Sequence, residues 1–294
     1  MACKLFAFLI TVNYFLEEQM KPELACFWIA VSLYGLSAFS YIFGLIAKQD
    51  KLFTVGLFSA LAGFFPHIAV IALRWSATGI SPFISISESI TLGVFMTVLL
   101  FLIFQFSTKK VRPLGVLVMP VAFVLMGWAG TLIKDVAATL APALQSGWIW
   151  VHIVGATTGF ASVLIAAGLG LIYLLKEKKT GGIYDRLPEL QDIDNLSYRF
   201  VAAGFIMYGL MIVSGCFWAN QVKGTYWNWD PVEVWSLVSW LIYGIYLHLR
   251  VTFGWRGRRL AIYSLIALAA MIVSYWGIPF SVETFHSGFR IEHN

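Results

Sequence analysis

The sequence predicts an all-α polytopic membrane protein with about eight transmembrane helices and both termini on the outer face. Three observations carry this expectation. Of 294 residues, 60% are hydrophobic and 12% charged, where a soluble domain spends about a quarter on charge. The mean hydropathy is +0.80. The apolar residues fall in long runs without the alternation that a β-barrel needs, and only helices and closed barrels satisfy every backbone group in lipid.

In chain order, Leu5 to Leu16 is too short to span and ends at Glu17-Glu18, which predicts an interfacial helix within an N-terminal segment 1–23. It has no small-residue cleavage site, so no cleavable signal peptide is expected. Eight runs of spanning length follow, about Leu24–Ala47, Leu52–Leu73, Ile90–Phe106, Leu114–Leu132, Trp150–Leu175, Phe200–Ala219, Val234–Leu249 and Leu260–Ile278. They form a single transmembrane domain, 24–278, with an external C-terminal segment at 279–294.

Alternate connections carry Lys48 and Lys51; Lys109, Lys110 and Arg112; Lys176, Lys178, Lys179, Arg186 and Arg199; and Arg250, Arg256, Arg258 and Arg259. That puts 14 of the 20 basic residues on one face, which the positive-inside rule makes cytoplasmic. The net charge of +5 is therefore a topology signal, and no nucleic-acid partner is expected. The longest connection, 176–199, has Leu187, Leu190, Ile193 and Leu196 at three-residue spacing after Pro188, which predicts an amphipathic helix lying under the membrane. Cys3, Cys26 and Cys216 form no C-x-x-C pair and read as small apolar fillers. No Walker-type loop, dinucleotide fingerprint or internal repeat is seen.

The stretch Gly224-Thr-Tyr-Trp-Asn-Trp-Asp-Pro-Val-Glu-Val-Trp235 stands apart. Tyr226, Trp227, Trp229 and Trp235 put four large aromatics in one turn-prone segment. Asp230-Pro231 marks a helix start, and Glu233 falls in its first turn. The segment, 220–235, lies outside between spans six and seven, either as an interfacial aromatic belt or as a binding shelf.

The topology sorts four of the five histidines into two pairs. His152, at the start of span five, and His286, just past span eight, lie on the shelf's side. His67 and His248 lie within or at the edge of the hydrocarbon, where ionisable residues are costly, and His293 is a solvated tail. Taken singly, each could simply hydrogen-bond a neighbouring helix. As pairs they suit iron, since two imidazoles on opposite sides of the metal make a haem site. Haem is an apolar disc with two carboxylates, which suits aromatic stacking and a cation such as Arg74; alternatively Arg74 is a snorkelling interfacial arginine. A zinc or copper site would want more ligands clustered together. Asp230 and Glu233 could move protons, but capping and turn formation explain them as well.

These residues resemble a known family. Gly224 to Trp235, continued by Ser236-Leu and by Trp240-Leu-Ile-Tyr-Gly-Ile-Tyr-Leu-His-Leu-Arg250, is similar to the tryptophan-rich WWD signature of the CcsA/ResC proteins of System II cytochrome c biogenesis. Phe65-Pro-His-Ile with Arg74-Trp75, Gly79, Pro82 and Ser87-Glu88-Ser89 resembles that family's first histidine span, and Trp150-Val-His152 and Phe285-His286-Ser287 its outer histidines. The chain departs from the pattern at Lys223, where tryptophan is common, and at Val232, where lysine is common.

The resemblance implies a haem-handling protein of the bacterial plasma (inner) membrane or the thylakoid membrane. Haem b would be taken from the cytoplasmic side and held by His67 and His248. It would then be presented on the extracytoplasmic (periplasmic) face by His152 and His286, with Tyr226, Trp227, Trp229, Asp230 and Trp235 around the ring and Arg74 as a further contact. There it would be joined through thioethers to the C-x-x-C-H motif of apocytochrome c. The chain would be a component of a cytochrome c haem-lyase (holocytochrome c synthase), active with a CcsB/ResB-type partner and supplied by thiol-reducing proteins. Two alternatives are a delivery or regulatory haem protein without ligation activity, which needs only the outer site, and a b-type electron-transfer subunit, which the histidine spacing disfavours.

Overall fold

The computed structural model describes residues 22–78, 85–107, 113–133, 146–179, 181–281 and 284. Eight long helices fall on the eight predicted spans: α1 Pro22–Ile46, α2 Asp50–Thr78, α3 Ile86–Ser107, α4 Gly115–Thr131, α5 Gly147–Glu177, α6 Leu190–Lys223, α7 Pro231–Val251 and α8 Arg258–Ile272. A π-helical turn, Val273–Gly277, and a short helix α9, Ile278–Ser281, continue α8. No strand occurs among the described residues. Seven of the helices are long and apolar enough to cross a membrane, α8 being counted through Tyr275. The exception, α4, has 17 residues, which at 1.5 Å per residue spans about 25 Å. The N-terminal interfacial segment, His286 and the rest of the external C-terminal segment beyond Thr284 lie outside the described residues.

The helices pack as two groups. In the first, α1 lies against α2 and α4, and α3 against α4; in the second, α5 lies against α6 and α8, and α7 against both α6 and α8. Contacts between α3 and α5 join the groups. Lipid removes the hydrophobic drive between helices, so close backbone approach at small residues has to supply association. On α5 this role falls to Gly155-Ala-Thr-Thr-Gly159. A Cβ at Gly155 would stand 2.9 Å from the Met207 carbonyl oxygen and 3.0 Å from the Met211 nitrogen, backbone atoms that cannot rotate away. Gly155→Ala is therefore expected to destabilise the bundle by about 1–3 kcal/mol, read as a lower unfolding temperature in detergent.

The helix expected to lie under the membrane is not a separate element. From Leu190 onward it forms the first turns of the 34-residue α6, with Ile193 and Leu196 buried. The reason is Asp194, whose side chain accepts from Arg250 Nη1 at 2.8 Å and from the Gly257 amide at 2.8 Å. This pins the start of α6 against the end of α7 and the start of α8. Among the described residues of the connection from α5, a single 3₁₀ turn at Tyr184–Arg186 is helical.

Three of the basic connections share one end of the bundle. Arg186, between α5 and α6, donates to the Lys48 carbonyl at 2.6 Å and pairs with Asp50 at 3.1 Å, both at the α1–α2 turn. Arg258, at the start of α8, lies 3.5 Å from Glu177 at the end of α5. The shelf caps the opposite end, between α6 and α7.

Candidate functional site

His152 is positioned by α5 and α6 together. Ser146 caps α5 by accepting from the Trp148 amide at 3.2 Å and donates to Gln221 at the end of α6. Trp148 stacks on Phe217 of α6 with centroids 4.6 Å apart. With the helices so registered, the half-buried His152 donates Nδ1–H to the Met211 carbonyl at 2.9 Å. A carbonyl can only accept, so the proton is on Nδ1 and the neutral ring keeps its lone pair at Nε2, the tautomer that suits a metal ligand. Gly215 makes room for the ring: a Cβ there would stand 2.8 Å from Nδ1.

The imidazole lies in the wall of an open cavity with about 450 Å³ of empty space, counting its mouth. Met211, Gly215, Cys216 and Trp218 of α6, Tyr226 and Trp227 of the shelf, and Val232, Glu233 and Ser236 of α7 are among its lining. The walls are largely apolar and aromatic. Tyr226 meets Phe217 edge-on at 5.8 Å, and the Trp218 ring lies 6.2 Å from His152.

The shelf is a built turn. Gly224 ends α6 in the left-handed region with φ +76°, and Lys223 sits in the last turn of α6, where the helix dipole favours a cation. Asp230 and Glu233 form a capping box at the start of α7, Asp230 accepting from the Val232 amide at 2.9 Å. Glu233 Oε2 accepts from the Asp230 and Asn228 amides at 3.3 and 2.8 Å. Both acids thus have the capping and turn roles. Their bonds hold Trp229 at φ +58°, a conformation rare for a bulky residue and most often met at functional sites. Its indole is 75% exposed and stands edge-on to Trp227, centroids 6.0 Å apart. Trp235 is also exposed, on the first turn of α7.

The structure brings His152, Tyr226 and Trp227 together around one cavity, with Trp229 and Trp235 on the shelf beside it. It does not bring His67 and His248 together. His67, in mid-α2, has no exposed surface. Its Nδ1 accepts from the Tyr34 hydroxyl at 3.0 Å and its Nε2 donates to the Thr91 carbonyl at 3.1 Å, so both ring nitrogens are engaged. His248 is exposed near the end of α7, with Thr252 Oγ1 3.2 Å from Nδ1 and Phe253 edge-on at 5.4 Å. From the basic end, His67 is about 25 Å along α2 and His248 about 5 Å along α7. Arg74, two turns beyond His67, is held by Glu88 at 2.9 Å and Glu23 at 3.7 Å.

Against known families, residues 83–286 match the model described as cytochrome C assembly protein. The chain belongs to this family. The match begins just before α3 and takes in the shelf, His152 and His286, leaving α1 and α2 outside it. Relatives of the cytochrome c assembly family agree over more of the chain. The chain is 33% identical to the cytochrome c biogenesis protein CcsA of Chlamydomonas reinhardtii, over 75% of this chain and 64% of that one, slightly under two thirds of its length. It is 29% identical to the CcsA of Guillardia theta, over 86% and 91%, and 30% identical to that of the cyanobacterium Parasynechococcus marenigrum, over 83% and 88%. Among solved structures, the cytochrome c heme lyase CcmF superposes with a TM-score of 0.66 at 18% identity, covering 92% of this chain and 48% of that one, so the chain spans about half its length; the likeness is one of fold. Within the assembly-family match, Met211, Gly215 and Trp218 line the His152 pocket, and sequence reasoning passed over all three. Spacing could have flagged two of them: Met211 and Gly215 are four apart on α6, and so lie on one face.

Proposed function

We propose that this integral membrane protein handles haem b for covalent attachment to apocytochrome c, as the haem-presenting component of a holocytochrome c synthase with a CcsB/ResB-type partner. One observation carries the reading: the His152 imidazole, its Nδ1 committed to a backbone carbonyl, stands in an aromatic cavity bordered by the WWD segment. That donor set suits haem, since neutral imidazole ligates iron and apolar rings accept the porphyrin face. No group of three or more His, Cys, Asp or Glu able to hold a metal ion occurs among the described residues. His286 is proposed as the opposite axial ligand, with Tyr226 and Trp227 against the ring and the exposed Trp229 and Trp235 closing over it. With Asp230 engaged in its cap, its part is to hold this turn, and Arg74 serves from a distance as an ion-paired strut.

In this reading the basic face is cytoplasmic and the shelf extracytoplasmic, in a bacterial plasma membrane or a thylakoid. His248 and His67, at different depths, act as successive stations; to ligate, His67 has to give up Tyr34 or Thr91. Thiol-reducing proteins keep the C-x-x-C-H cysteines reduced. Each thiol adds across a haem vinyl group, sulfur to one carbon and hydrogen to the other, with no net electron transfer. The protein contributes orientation.

The test is the visible spectrum of the purified protein. Six-coordinate, low-spin haem is expected, with His152→Gly and His286→Gly each lowering haem content and added imidazole restoring it. Unchanged haem content and spectrum in both variants, without added imidazole, would remove the outer site. Co-expression with the partner and an apocytochrome is expected to give covalently bound haem; haem binding with no thioether product would make the chain a delivery protein instead.

A further inference from the structure

His152 and His67 meet their surroundings in opposite ways. His152 lines two cavities, the aromatic one and a neighbour that it shares with Val232 and Ser236, and its proton is on Nδ1, toward the Met211 carbonyl. His67 has no exposed surface. Its proton is on Nε2, because the Thr91 carbonyl 3.1 Å away can only accept. Its Nδ1 takes the Tyr34 hydroxyl at 3.0 Å.

These two bonds are not equal. Thr91 lies within α3, where a backbone carbonyl already accepts the amide four residues on. The bond from Nε2 is its second, so losing that bond strands no buried acceptor. Tyr34 is held more firmly. It is fully buried, and its ring lies against Gly63, where a Cβ would stand 2.9 Å from Tyr34 Cδ1. α2 packs more closely on α1 than on α3, and Ser37 of α1 donates to the Gly56 carbonyl of α2 at 2.7 Å. One turn beyond His67, Val70, Ile71 and Thr91 line a cavity with about 410 Å³ of empty space, counting its mouth, so the packing of α2 on α3 is already open there. The α3 side can give way while Tyr34 stays beside Nδ1.

Which histidine nitrogen binds a metal is set by the hydrogen bond that the other makes. A hydroxyl can donate or accept, whereas a carbonyl only accepts. Tyr34 can therefore serve either tautomer of His67, and Thr91 only one. Nε2 also stands clear of the side chain, while Nδ1 adjoins the ring carbon that bears Cβ, which crowds a flat macrocycle. We propose that Tyr34 is the positioning residue for iron at His67, turning from donor to Nδ1 into acceptor from Nδ1–H as Nε2 leaves the Thr91 carbonyl. One N–H bond breaks at Nε2 and one forms at Nδ1, so the ring stays neutral and no net proton is gained or lost. This role rests on His67 being a haem ligand, as proposed above.

The test uses the full chain carrying His152→Gly, His286→Gly and His248→Ala, so that bound haem reports His67. In that chain His67→Ala is expected to abolish haem binding. Tyr34→Phe, which keeps the ring against Gly63, is expected to weaken haem affinity by about 10- to 100-fold, the range for losing a group that orients a metal ligand. A bond that only ties α1 to α2 would lower the unfolding temperature of the haem-free protein and leave haem affinity unchanged. A bond that only blocks Nδ1 would give tighter binding in Tyr34→Phe. Either result, with haem lost in His67→Ala, overturns the role of Tyr34 and leaves His67 as a ligand. Haem retained in His67→Ala removes the ligand reading and the role together. If Tyr34→Phe fails to fold, ¹⁵N NMR of labelled histidine in the chain that keeps Tyr34 decides. The His67 proton is expected on Nε2 without haem and on Nδ1 with ferrous haem saturated by carbon monoxide, a diamagnetic state. A proton on Nε2 in both states overturns the role.

Discussion

Replacing Arg250 with alanine is expected to destabilise the bundle by about 3–5 kcal/mol, the cost of leaving one member of a buried ion pair without its partner. Arg250 is 5% exposed and Asp194 6%. The guanidinium donates to Asp194 Oδ2 at 2.8 Å and to Asn195 Oδ1 at 2.9 Å, and it lies over the Tyr198 ring at 4.7 Å. The other carboxylate oxygen takes the Gly257 amide, so one acid ties three helices together. Lysine offers a point charge without the planar fork, so Arg250→Lys is expected to recover only part of the loss. The double variant Arg250→Met with Asp194→Leu is expected to lose less than the two single changes added together, because it leaves no charge stranded. Unfolding by heat or denaturing detergent measures all five proteins: Arg250→Ala, Arg250→Lys, the two single changes and the double variant. An Arg250→Ala protein within about 1 kcal/mol of the unsubstituted chain, the range of an ordinary surface change, would show that the cluster does not hold the helices.

This cluster also shows where reading the sequence runs out. The eight spans were legible because apolar length is a local property: each run of some twenty residues declares itself without knowledge of its neighbours. Arg250 counted correctly toward the basic face, yet nothing nearby in sequence said that it is buried. Its partner is 56 residues away, on the stretch whose three-residue spacing suggested a helix lying flat. Ile193 and Leu196 are buried as apolar positions should be, but in the bundle, where Asp194 between them binds Arg250 and the Gly257 amide, contacts which only the tertiary arrangement supplies. Gly155 and Gly159 were not singled out in the sequence, because what they do depends on Met207, Met211 and Tyr208 of another helix.

The site divides along the same line. The shelf was legible to the level of its hydrogen bonds, because a capping box is written in consecutive residues, and Asp230 and Glu233 take the structural roles that proline and helix-start rules assign them. The pairing of His152 with the shelf was legible from topology alone. The state of His67 was not: its two engaged nitrogens depend on Tyr34 in α1 and Thr91 in α3, and neither carries a sequence signal for contact. The departures at Lys223 and Val232 also separate in the structure. Lys223 ends α6, whereas Val232 lines both cavities that His152 lines, so an apolar side chain there is part of the surroundings of His152.

If His152 ligates haem as proposed, Gly215→Val is expected to lower haem occupancy by about 10- to 100-fold, the range seen when a group that orients a metal ligand is lost. The Cβ alone would stand 2.8 Å from His152 Nδ1 and 3.1 Å from Cε1, and two further methyls leave the ring no room in its present place. The imidazole can rotate, but only by breaking its bond to the Met211 carbonyl, and with that bond goes the tautomer that puts the lone pair on Nε2. Gly215 faces an open cavity on one side, so the displaced ring has somewhere to go and the bundle itself should tolerate the change. The expected signature is therefore lost haem with a nearly unchanged unfolding temperature for the haem-free protein. Gly215→Ala should show the same pattern more weakly, and imidazole added to Gly215→Val carrying His152→Gly should restore ligation, because removing the ring removes the clash. Full haem content in Gly215→Val would mean that His152 does not need its present orientation to hold iron. A collapse in folding equal to that of Gly155→Ala would mean that Gly215 serves the contact between α5 and α6 and not the ligand.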